Sequence, residues 1–267
     1  MLPAREETVL FVSALLHARR QRQGTRRGRR ALTCHQQAVL VIRWFLDGTR
    51  VRQLAADNAI SVPNAYRCLH EGIAVLADHR PSLRSALLAA KIAEHPHVNI
   101  DGTLIHTDRC AAPGPTTGVD LWWSGKHHHH RGNIQVISSP DGWPLWTSDV
   151  RPGREHDTTC ARTHPDILPD LTAWTEDGFH ALGDLGYEGE AAIFTVPIKK
   201  TPGVKLTDEQ KQTNWLQAHA RARAEQANAL LKTTFRALRR VSLDPSQIGR
   251  IVAAALVLLH IEHGRTT

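Results

Sequence analysis

The chain has 267 residues, enough for one large domain or two ordinary ones. Its 33 Lys and Arg against 26 Asp and Glu give a formal charge of +7 and a pI near 9.6, which favours a polyanionic partner such as nucleic acid. The four cysteines, Cys34, Cys68, Cys110 and Cys160, form no C-x-x-C pair, which argues against a zinc ribbon or a thioredoxin-like site and fits a reducing compartment.

Residues 1–30 end in a basic stretch that includes Arg26, Arg27, Arg29 and Arg30, with no acid among them. Such a run is either a solvated arm or an arm that lies along DNA phosphate. No secretory cleavage signal follows the first apolar stretch, and the longest apolar run, Ile251 to Leu259, is too short to span a bilayer. The expectation is a cytoplasmic protein with no membrane partner.

Residues 31–95 read as helical. A first helix starts near Thr33 and stops near Gly48, and a short one runs from about Val51 to Asn58. Ala59-Ile60-Ser61 makes a compact turn. Ser61 and Pro63 then start a third helix that reaches about Asp78. Helix, short helix, turn and longer helix outline a helix-turn-helix, with Asn64 and Arg67 outward near the start of the third helix.

From residue 96 to 267 the texture changes. Strands are expected at His97 to Ile105, Val119 to Trp123, Asn133 to Ser138, Trp143 to Val150, His180 to Asp184 and Ile193 to Ile198. A helix interrupted near Pro165 and Pro169 spans about Asp157 to Trp174, and helix resumes from about Thr207 to a break at Asp244-Pro245. The pattern implies an α/β domain: a mixed sheet flanked by helices.

Three acids stand in contexts odd for structural residues. Asp101 interrupts an apolar strand before Gly102, and Asp184 ends a short strand between Gly183 and Leu185-Gly186. A carboxylate in such a place is costly unless it is paired, hydrogen-bonded or bound to a cation. At about 100° per residue, Glu225 shares a helix face with Arg221, Asn228, Lys232, Arg236 and Arg239. That face is either a solvated set of ion pairs or part of a site. Together the acids suit phosphodiester chemistry, in which carboxylates hold divalent ions that activate a nucleophile and stabilise a leaving oxygen.

The segments Asn99-Ile100-Asp101-Gly102-Thr103, Ser124-Gly125-Lys126 with Asn133-Ile134-Gln135-Val136, Pro152 to Asp157, Gly183 to Tyr187 and Ala224 to Lys232 resemble, in order, the DDE-superfamily transposases of the bacterial insertion-sequence-five and Harbinger kind. The resemblance covers nearly all of the chain after residue 96. It implies a ribonuclease-H-like catalytic domain at 96–267 behind a helix-turn-helix domain at 31–95. It also implies that Asp101, Asp184 and Glu225 form a catalytic triad holding two Mg2+ ions, with Mn2+ able to substitute. Gln226 stands where the family commonly has Arg.

On this reading the chain cleaves and transfers DNA strands at the ends of an insertion sequence, as a homodimer or larger assembly on double-stranded DNA in the bacterial nucleoid. DNA contacts are expected from Arg26, Arg27, Arg29, Arg30, Asn64, Arg67, Lys126, Arg131, Lys232 and Arg236. The alternative is a DNA-binding regulator, domesticated or inactive, without strand transfer. A third reading, an HD-type phosphohydrolase, would use His156-Asp157. Within the resemblance that pair either orders the site or caps the following helix, and capping is the first expectation for Asp157. The run His127 to His130 is expected to be a basic DNA-facing loop, because neighbours on a strand alternate faces and cannot all ligate one ion.

Overall fold

The computed structural model describes residues 3–26, 28–201, 203 and 205–267. Its two compact units do not follow the boundaries read from the sequence. The first joins residues up to Arg80 with Leu231–Thr266, and the second is Pro81–Leu230.

The first unit is helical: α1 (Glu6–Arg22), α2 (Cys34–Asp47), α3 (Val51–Asp57), α4 (Val62–Ala77) and α9 (Ile248–His263). Local signals set the ends of α2. Thr33 and Gln36 form a reciprocal capping box, and Gly48 closes the helix with a left-handed φ of 65°. Ser61 caps α4 by accepting the Asn64 N–H, and Pro63 lies in its first turn. Ala59, also left-handed at φ 50°, makes the turn between α3 and α4. Leu69, Ile73 and Leu76 of α4 are buried. A Cβ at Gly72 would come within 2.3 Å of Val41 Cγ2, so the glycine lets α4 approach α2. The apolar run Ile251 to Leu259 lies within α9 and is buried on all sides, the pattern of a helix inside a core. No helix among the described residues is long and apolar enough to cross a membrane.

The basic stretch is only partly solvated. Arg30 donates to Glu71 at 2.9 Å, Gln37 donates to the other Glu71 oxygen at 3.0 Å, and Arg20 donates to Gln37 at 2.6 Å. Glu71 and Gln37 are buried, so this network belongs to the helical core rather than to a free arm.

The second unit is a mixed sheet flanked by helices: α5 (Leu83–Ile92), β1 (His97–His106), β2 (Trp123–Ser124), β3 (His129–Ser138), β4 (Pro144–Thr147), β5 (Arg151–Pro152), α6 (Asp157–Thr163), α7 (Ile167–Glu176), β6 (His180–Leu182) and α8 (Asp208–Thr234) as far as Leu230. β1 and β3 pair antiparallel, β4 and β5 pair antiparallel with β3, and β6 runs parallel to β1. The strand expected at 193–198 does not form; a single bridge joins Thr195 to Leu182. Of the strand expected at 119–123, Trp123 joins Ser124 in a two-residue strand paired with His130 and His129 at the start of β3, and Asp120 makes an isolated bridge to Pro113. Trp122 and Trp146 are buried packing residues. α8 stops at Thr234, where Phe235 leaves helical geometry (φ −110°, ψ 99°) and buries its ring edge-on against Phe45. Arg236 and Arg239 therefore lie beyond the helix and do not share the Glu225 face.

Candidate active site

The parallel register sets Asn99 beside Leu182, so Asp101, midway along β1, and Asp184, just past the end of β6, each lie two residues beyond that pair and near each other. Asp184 Oδ1 accepts the Gly186 N–H at 2.7 Å and starts the 3₁₀ turn Leu185–Glu190. Burial pushes the Asp101 carboxyl up to about 6, and the Asp184 charge pushes in the same direction. Arg221 opposes the shift, while Asp157 and Glu225 add to it.

On α8, Arg221, Glu225 and Asn228 follow one face, as the helical spacing predicts. Asn228 makes the direct contact: its Nδ2 donates to Asp101 Oδ2 at 2.7 Å, and its buried Oδ1 has no hydrogen-bond partner. The Glu225 residue itself is exposed. Among the described residues, no group of three His, Cys, Asp or Glu side chains could hold a metal ion. The expected triad is thus brought into one neighbourhood without forming a ready three-carboxylate ligand set. The mutual repulsion that raises Asp101 also opposes closer approach.

Asp157 is the residue that sequence reasoning misplaced. His156, not Asp157, occupies the N-cap of α6, and no side chain caps that helix. The Asp157 carboxylate turns to the sheet instead, where Oδ1 accepts Asn133 Nδ2 at 2.9 Å and Gln135 Nε2 at 3.1 Å. Gln135 Nε2 also donates to Asn133 Oδ1 at 3.0 Å, and its Oε1 accepts the Tyr187 hydroxyl. Tyr187 is fully buried, which holds its hydroxyl well above the usual range and keeps it a donor. A Cβ on Gly102 would lie 2.0 Å from Asp157 Oδ1, so this glycine makes room for the acid. The glycine beside Asp101 was the available signal. Its meaning, space for a side chain 55 residues away, needed the β1–β3 register.

The predicted DNA contacts are dispersed. Arg26, Arg29, Arg67, Lys126 and Arg236 are exposed, and Asn64, Arg131 and Lys232 are half-buried. Arg30 is engaged with Glu71, and Arg27 lies outside the described residues. In the run 127–130, His128 and His129 are exposed; His128 and His130 meet the Trp123 ring edge-on.

A family model described as DDE superfamily endonuclease matches residues 100–260, more than half of the chain, including Asp101, Asp157, Asp184 and Glu225. The chain belongs to the DDE superfamily endonucleases. No curated protein matches the sequence of this DDE-superfamily chain. Among solved structures it is similar to a chain of the Mos1 strand transfer complex, at 10% identity and a TM-score of 0.23, over 79% of this chain and 82% of that one. It is also similar to Mos1 transposase in a paired-end complex with the left transposon end, at 11% identity and a TM-score of 0.22, over 94% and 78%. The membership of this DDE-superfamily chain rests on the sequence match.

Proposed function

We propose that the chain is a DNA transposase of the insertion-sequence-five and Harbinger-like kind, cleaving phosphodiester bonds at element ends and joining the freed strand to target DNA. The observation that carries this reading is the closeness of half-buried Asp101 on β1 to Asp184, two residues past the parallel strand β6, inside the matched region. An antiparallel β1–β3–β4 meander followed by β6 parallel to β1 supports a ribonuclease-H-like reading of the sheet. The order of α2, α3 and α4 supports a helix-turn-helix that recognises terminal repeats, in a homodimer or larger assembly.

The donor set fits a hard divalent cation such as Mg2+. Asp101 and Asp184 offer carboxylate oxygens, and Asn228 Oδ1 is a buried oxygen without a partner. When bound, such ions supply an activated water and charge neutralisation at the leaving oxygen. Asn228 orients Asp101 by its hydrogen bond, and Glu225, one turn earlier on α8, completes the acid set. Asp157, held by Asn133 and Gln135, fixes the β1 edge beside Gly102.

The test is strand cleavage in Mg2+ on a duplex carrying the sequences that flank the coding region. Asp184→Asn should lower cleavage by about 100-fold or more while duplex binding persists. In parallel, Mg2+ should raise the Tm of the parent chain and leave that of Asp101→Asn/Asp184→Asn unmoved. Undiminished cutting by Asp184→Asn removes that residue from the chemistry. A parent chain that binds the duplex without ever cutting it is instead the regulator.

A further inference from the structure

The helical unit contains an arginine groove that the sequence pattern alone does not assemble. A concavity of about 600 Å³ is lined by Arg50, Arg52, Arg236, Arg239, Arg240 and Tyr66, among others. All five guanidinium residues are exposed, although they come from two stretches of chain more than 180 residues apart. Packing brings them together. The Phe235 ring is buried against Phe45 of α2, and the turn at Gly48 lies so close to Arg236 that a Cβ there would stand 3.5 Å from the Arg236 Cβ. Both walls are thereby fixed to the end of α2.

The groove carries an excess of positive charge, five arginines against one acid. Its one acid, Asp47, lies 3.8 Å from Arg43, outside the groove. Arg50, Arg52 and Arg236 make no ion pair among the described residues. Guanidinium groups gathered in this way repel one another unless an anion sits between them, and their planar fork matches phosphate oxygens in pairs. Tyr66, 41% exposed, joins the groove to the outward face of α4, where Asn64, Arg67 and His70 follow. A phosphodiester backbone lying in the groove would present the neighbouring bases to that face.

We propose that this groove is a phosphate-backbone site for duplex DNA, with Arg236, Arg239 and Arg240 clamping the strand from one side and Arg50 and Arg52 from the other. This rests on the DNA-directed reading above and deepens it. The segment after α8 becomes part of the DNA-binding surface rather than the tail of a catalytic domain.

The experiment measures binding of the full chain to a labelled mixed-sequence duplex of about 30 base pairs by fluorescence anisotropy, from about 50 to about 200 mM KCl. Arg236→Gln/Arg239→Gln should make the slope of log K against log salt shallower by about 1.8, about 0.9 for each phosphate no longer neutralised. Arg50→Gln/Arg52→Gln should do the same from the opposite wall, which guards against a local folding defect in either variant. The control Arg84→Gln/Lys211→Gln removes equal charge elsewhere and should change the slope by much less. If both groove variants keep the parent slope, or the control matches them, the groove is not a phosphate site, even though the parent chain binds DNA. If the parent chain itself fails to bind duplex, the DNA-directed reading falls and this site with it.

Discussion

Gly102 has no room for a side chain, and the reason is an acid. The Asp157 carboxylate fills the place its Cβ would take, held there by two amides from β3. Gly102→Ala should therefore push Asp157 off Asn133 and Gln135. We expect a stability loss of about 1–3 kcal/mol and a fall in cleavage of about 100-fold. Adding Asp157→Ser frees the space and should return part of the Tm but not the cleavage; a Gly102→Ala chain with parental Tm would contradict the packing. Asp101 allows a second test through pH. Its carboxyl is raised from 3.8 to about 6, so the fold favours the protonated form. Its stability contribution is whole below about pH 4, is lost as pH rises through about 6, and stays lost above that. In chelator without Mg2+, Asp101→Asn should melt above the parent chain at about pH 8, with the gap closing toward about pH 4. Thermal melts across that range check this, and a gap independent of pH would refute it.

At the scale of elements, what local chemistry dictates was readable in advance, and what distant packing dictates was not. Thr33 and Gly48 as limits, and the Ser61-x-Pro63 start, placed α2 and α4 within a residue or two. The apolar run that Asp101 interrupts placed β1, and the parallel strand at 180–182 brought Asp184 to it. Ile193 to Ile198 has strand composition, yet only Thr195 finds a partner, because pairing depends on a neighbour that the segment cannot specify. The end of α8 failed for a related reason. Leu238 and Val241 continue the helical period, but burial of Phe235 against Phe45 turns the chain. The face of Glu225 was legible as far as Asn228. That Asn228 would be the residue touching Asp101 was not, since a helix face gives direction but not reach.

At the scale of the whole molecule, the boundary inside α8 matters most. The helical unit is completed by Leu231–Thr266, including the fully buried stretch of α9, which packs on α4 and α1. A fragment of residues 1–80 lacks that helix and leaves apolar faces of α1 and α4 exposed to water. It should show no cooperative thermal transition by circular dichroism, whereas adding residues 231–266 through a flexible linker should restore one. A sharp transition in the short fragment would show that α9 is dispensable. The same arrangement sets a timetable for synthesis. Between Arg80 and Leu231 the ribosome must make all of 81–230, about 8 to 30 seconds of work at about 5–20 residues per second. During that interval the opening helices wait unfinished, and the sheet, though translated later, has every strand it needs to fold first.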